Sequence, residues 1–105
     1  MSTRSAVLEA FKRCRGVDEA LLVEIDSPLP VPIDRSMAAA EDVASAAKIG
    51  LVEHVHLSGT ASTSVFRSST GPSVVVRGTT GALGAWRHAY ERHRSVLEHL
   101  GEVDE

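Results

Sequence analysis

Leu83, Trp86, Tyr90, His93, Leu97 and Leu100 recur at steps of three and four, so one long helix near the end of the chain carries a single apolar stripe. A stripe of that length needs a broad surface to lie on. With one Trp, one Tyr and two Phe in 105 residues, the surface must be built mainly from Ala, Val and Leu, which suits tight packing of helices on a sheet. A chain this short holds one domain.

Residues 3 to 15 place Val7, Leu8, Phe11 and Cys14 at helical spacing, and Gly16 stands where that helix would stop. "EALLVEI" (19 to 25) reads as a strand, ended by "DSPLPVP", whose prolines cannot donate to a ladder. From Asp34 to Lys48 a second helix carries Met37, Ala40, Val43 or Ala44, and Ala47 on one face, with Asp34 as N-cap and Gly50 as stop. "LVEHVHL" (51 to 57) alternates. It sets Val52, His54 and His56 on one face of a strand and Leu51, Glu53, Val55 and Leu57 on the other.

Residues 58 to 73 are crowded with Ser, Thr and Gly and read as a long hairpin connection, with a strand extension at Val65 and Phe66. "VVVR" (74 to 77) is a short buried strand, and Thr80 is the expected N-cap of the last helix. The sum is an α+β protein: a ferredoxin-like split βαβ sheet with packed helices, its third strand between the first and second. The fourth strand of that plan is missing. Residues 1–16 form an N-terminal helix and residues 17–100 a βαββα core.

A net charge of -3 with mixed signs gives no broad basic field, which argues against nucleic acid as a partner. Nothing approaches the roughly 20 consecutive apolar residues of a membrane span, and the start lacks a signal-peptide core, so a cytoplasmic protein without a membrane partner is expected. Cys14 has no second cysteine to pair with and reads as a buried structural thiol.

His54 and His56 share a strand face and would reach one metal ion, yet no carboxylate or Cys is placed to complete the set, so neither metal nor cofactor is expected. His88, His93 and His99, at spacings of five and six, point to different sides of their helix. "RGTTGA" passes from a strand to a helix N-terminus, where backbone N–H groups can hold an anion, but it lacks the Lys and longer glycine loop of a P-loop. No Gly-x-Ser-x-Gly elbow or triad order is present, and the chain is not expected to be an enzyme.

"ALLVEIDSPLPVPIDRSMAAAEDVASAAKIGLVEHV" followed by "SVVVRGTTGALGAW" resembles the bacterial microcompartment shell-protein domain over about residues 17 to 95. The helix ending in "GVDEALLVEI" looks like that family's circularly permuted hexamer class, without its extra N-terminal strands. The resemblance implies a structural subunit of a microcompartment shell in the cytoplasm, a hexameric ring with itself and other shell proteins as partners. Ser45 would stand where the family places its lattice-edge lysine. Ser68, Ser69, Thr70, Gly71 and Pro72 would be the loop lining a metabolite pore. The alternative is a small ferredoxin-like ligand-sensing or regulatory module that binds an anionic metabolite at a subunit interface, with "RGTTGA" holding the anion.

Overall fold

The computed structural model describes residues 3–68 and 70–100. Helix α1 (Thr3–Lys12) turns through Gly16, whose φ of 77° favours a residue without Cβ, into strand β1 (Val17–Val23). Helix α2 (Val31–Ala47), strands β2 (His54–Ser58), β3 (Ala61–Phe66) and β4 (Ser73–Thr79), and helix α3 (Leu83–Leu100) follow. Proline at the start of α2 moves its beginning ahead of Asp34, which becomes a first-turn carboxylate at the positive end of the helix rather than its N-cap. The same helix closes on Lys48 in the left-handed conformation, two residues before Gly50.

The four strands form one antiparallel sheet in the order β1-β4-β3-β2, a mixed α+β architecture consistent with the ferredoxin-like class. The strand missing from the sequence reading is β3. It lies inside the tract assigned to a connection, paired with β2 through Val55 and Val65 and with β4 through Val65 and Val75. Both β3 and β4 separate β1 from β2, so the two outer strands run in opposite directions.

Each face of the sheet has its own core. Val74 and Val76 of β4 turn, with Ala20 and Phe66, toward α1 and α3, where they meet Val7, Phe11, Trp86, Tyr90 and Leu97. Val75 turns the other way, with Val23 and Val65, to meet Met37 of α2. A strand buried on both faces reads as a continuous valine run, which explains "VVV" at the centre of the sheet. The stripe on α3 seats as its spacing requires, with Trp86, Ala89, Tyr90, Leu97 and Leu100 buried.

Two contacts fix the helical layer. Trp86 Nε1 donates to the Arg15 carbonyl at 2.9 Å, and a Cβ on Gly78 would stand 1.9 Å from the Gly16 oxygen, so β4 abuts the α1–β1 turn with no room for a side chain. Thr80 does not cap α3. Its hydroxyl donates to the Gly59 carbonyl at 2.7 Å and meets Ser62 Oγ at 2.9 Å, tying the β2–β3 turn to the end of β4. Among the described residues, no helix is long and apolar enough to cross a membrane.

Candidate functional site

Two strands end the sheet, and their chemistry differs. The pairing of β1 with β4 slips between Val17 and Glu19, Asp18 and Glu19 are exposed there, and prolines follow the strand. Bulges, charges and prolines are the usual devices that keep a sheet edge from adding another strand. β2 has none of them. "HVHLS" pairs with β3 in unbroken register, carries no charged residue or proline, and turns an outer row of backbone N–H and C=O groups away from the sheet.

Exposed apolar side chains occur on β2, on α2 and between them. Leu57 on β2 is 50% exposed, Val43 on α2 is 68% exposed, and the connection between the two elements shows Ile49 at 73% and Leu51 at 90%. Helix α2 contacts β2, and Leu51, in the segment that leads into the strand, lines a cleft that reaches the end of β1. Single exposed apolar residues are ordinary, and Leu57 matters because it stands on the bare edge strand itself.

The other face of β2 carries the two histidines, which turn under α3. His54 lies parallel to Phe66, with ring centroids 4.3 Å apart and planes 7° apart, and its Nε2 is buried with no hydrogen-bond partner. Burial, reinforced by His56 and Arg87, holds the His54 imidazole below its ordinary pKa. His56 pairs through Nδ1 with Ser64 Oγ at 2.5 Å and meets the Trp86 ring edge-on at 6.1 Å. The two imidazoles stand 6.2 Å apart, and the described residues include no group of three or more His, Cys, Asp or Glu able to hold a metal ion.

A cleft of about 380 Å³ opens between α2, the end of β1 and the β3–β4 connection. Val23, Leu29, Met37 and Val52 line it, and ion pairs cross its rim: Arg67 with Glu41, and Arg94 with Glu53 at 3.5 Å. These pairs hold α2 and the segment before β2 against the rest of the molecule. Tyr90 reinforces the joint by donating its hydroxyl to the Arg67 carbonyl at 2.8 Å, and burial raises its pKa.

Of the expected loop residues, Ser68 and Gly71 line this cleft, and Thr70 and Gly71 lie against α3. Ser68 is buried and accepts the Gly71 N–H at 2.8 Å, Pro72 is fully buried, and Thr70 donates to the Glu98 carbonyl at 3.2 Å. A Cβ on Gly71 would fall 1.8 Å from the Leu97 carbonyl oxygen. Ser69 lies outside the described residues. Ser45 is exposed near the end of α2. In the "RGTTGA" turn, the Thr79 N–H is engaged by the Gly16 carbonyl at 2.8 Å, which leaves fewer donors for an anion. Cys14 is half-buried, donates to the Ala10 carbonyl at 3.4 Å, and has its pKa raised by burial.

The edge itself was missed by sequence reasoning, because which strand ends a sheet depends on pairing between distant segments. Its readable trace is the lack of charge and proline in "HVHLS".

No protein-family model and no curated protein matches the sequence. Solved structures do match the fold. The gliding protein MglB from Thermus thermophilus superposes with a TM-score of 0.72 at 20% identity, over 94% of this chain and 88% of that one. MglB in a tetrameric arrangement gives a TM-score of 0.75 at 18% identity, with the same coverage. At these identities the likeness establishes a shared fold. It overturns the shell-protein resemblance, and the shell subunit, hexameric ring and pore go with it. The physical reason is that the shared motifs were runs of Ala, Val and Gly. Such runs report helices packed closely on a sheet, a demand that unrelated α+β folds have in common.

Proposed function

We propose that this chain is a small regulatory module that works through protein–protein association, pairing with a second copy of itself across the β2 edge. The observation that carries the reading is the bare β2 edge with exposed Leu57 beside it, in contrast to the guarded β1 edge. Support comes from the fold neighbour MglB, whose structure is a tetrameric arrangement.

The side chains select a register. Two antiparallel copies of β2 centred on His56 set each Val55 opposite the other copy's Leu57, so that both leucines become covered. Burying the exposed half of each leucine contributes about 1 kcal/mol per copy. A strand pair of five residues falls well short of the roughly 1,200 Å² that a stable interface buries, so the outer face of α2 around Val43 must join it.

Sedimentation velocity of the full chain at micromolar concentration tests the reading. The wild type should sediment as a dimer or larger and Leu57→Lys as a monomer of 11.2 kDa. A wild-type monomer throughout that range would refute association. An unchanged Leu57→Lys oligomer would move the interface elsewhere.

A further inference from the structure

We infer that protonation of His54 gates the pairing of β2 edges, making association of this chain pH-dependent. The inference rests on the proposal that β2 is the association edge, and it adds the regulation of that edge.

Three observations carry it. First, both histidines sit on the outermost strand and on one face of it, stacked or tucked against Phe66, Ser64 and Trp86. Second, His54 Nε2 is buried without a partner, so a proton added there would create an N–H⁺ with no acceptor in reach. Third, the charged groups that bear on His54 are His56 on its own strand and Arg87 on α3, and both add positive charge. The residues of β3 that meet the pair, Ser64 and Phe66, are uncharged, as are Trp86 and Tyr90 of α3, the latter stacked on Phe66 at 4.9 Å.

Pairing multiplies the effect. With two copies centred on His56, the His56 side chains oppose one another and the His54 side chains occupy the flanking positions on the same face, within roughly 5–8 Å of strand neighbours. Four imidazoles then share one seam. Neutral, they pack as flat half-polar rings. A proton added to His54 would place a charge near Arg87 in a seam that pairing has closed to water, where charge is screened less and solvated worse than in the separate chain.

The paired state therefore binds fewer protons than the separate chains. By linkage, the association constant falls as pH drops through the imidazole range, by up to about tenfold per pH unit for each proton taken up on separation.

The experiment is sedimentation velocity of the full chain at a series of pH values from about 8 to about 5, reaching well below the ordinary imidazole value because the His54 value is lowered, with circular dichroism at each pH to confirm that the chain is folded. The wild-type dissociation constant should rise at least about tenfold on acidification. In His54→Gln, neutral throughout, it should move by less than about threefold. His54→Asn should show the same loss of pH dependence and serves if the glutamine variant does not fold. An equal pH effect in wild type and variants, or none in the wild type, overturns the gating while leaving the edge in place. A monomer already at the higher pH overturns the edge and the gating together.

Discussion

Gly71→Ala should cost this protein a large share of its stability, although the substitution adds one methyl group to a segment rich in serine and threonine. A Cβ built at Gly71 stands 1.8 Å from the Leu97 carbonyl oxygen and 2.7 Å from the Leu97 carbonyl carbon. Both are backbone atoms of α3, so no rotamer change relieves the overlap. The connection must lift from the helix by more than about 1 Å to reach ordinary contact, disturbing the Thr70 bond to Glu98 and exposing Pro72. Overpacking of this kind costs about 1–3 kcal/mol when side chains can yield, and a backbone-on-backbone clash belongs at the upper end, about 3 kcal/mol. Against the 5–15 kcal/mol typical of a whole domain, that lowers the melting temperature by roughly 10–20 °C. Urea and thermal denaturation followed by circular dichroism measure it. Gly84→Ala is the reference, because nothing lies within 4 Å of a Cβ there and α3 should gain stability, by up to about 1 kcal/mol. A Gly71→Ala protein within about 0.5 kcal/mol of wild type would refute the docking of this connection on α3.

Tyr90→Phe should lose about 1–2 kcal/mol in urea titrations, since it strips the Arg67 carbonyl of its 2.8 Å hydroxyl partner; an unchanged midpoint would mean that water replaces the bond. His54 makes stability itself pH-dependent. Its native pKa is lowered, so the unfolded chain takes up a proton that the folded chain resists, and stability present above the ordinary imidazole value of about 6.5 is lost as pH falls into the lowered range. Chemical denaturation at concentrations low enough to keep the chain dissociated should show this slope in wild type and a shallower one in His54→Phe; identical slopes would assign the dependence to another group.

How much of this was legible in the sequence depended on side-chain size. The α3 stripe was plain because Trp86, Tyr90, Leu97 and Leu100 are large and regularly spaced, and the "VVV" strand because it is buried on both faces. β3 was hidden because two of its inward positions are Ser62 and Ser64, fully buried yet polar, so the alternation carries no hydropathy signal. Their hydroxyls are satisfied locally, Ser64 by His56 and Ser62 by Ser58 and Thr80, which is why a tract that looks like a solvated loop holds an interior strand. In the same way, "STGP" announces a turn but not its burial, which follows from a contact with Leu97, far along the chain on α3. The edge position of β2 has the same cause: pairing order is a property of four segments at once.

Amide hydrogen exchange resolved along the chain, recorded at several concentrations spanning dissociation and association, tests the pairing of β2 most directly. Pairing predicts that amides within His54–Ser58 become more slowly exchanging as concentration rises, while the exposed edge of Val17–Val23 exchanges at a constant rate. Protection that grows on β1 and not on β2, or that changes on neither strand in a chain already shown to be a dimer, would contradict it.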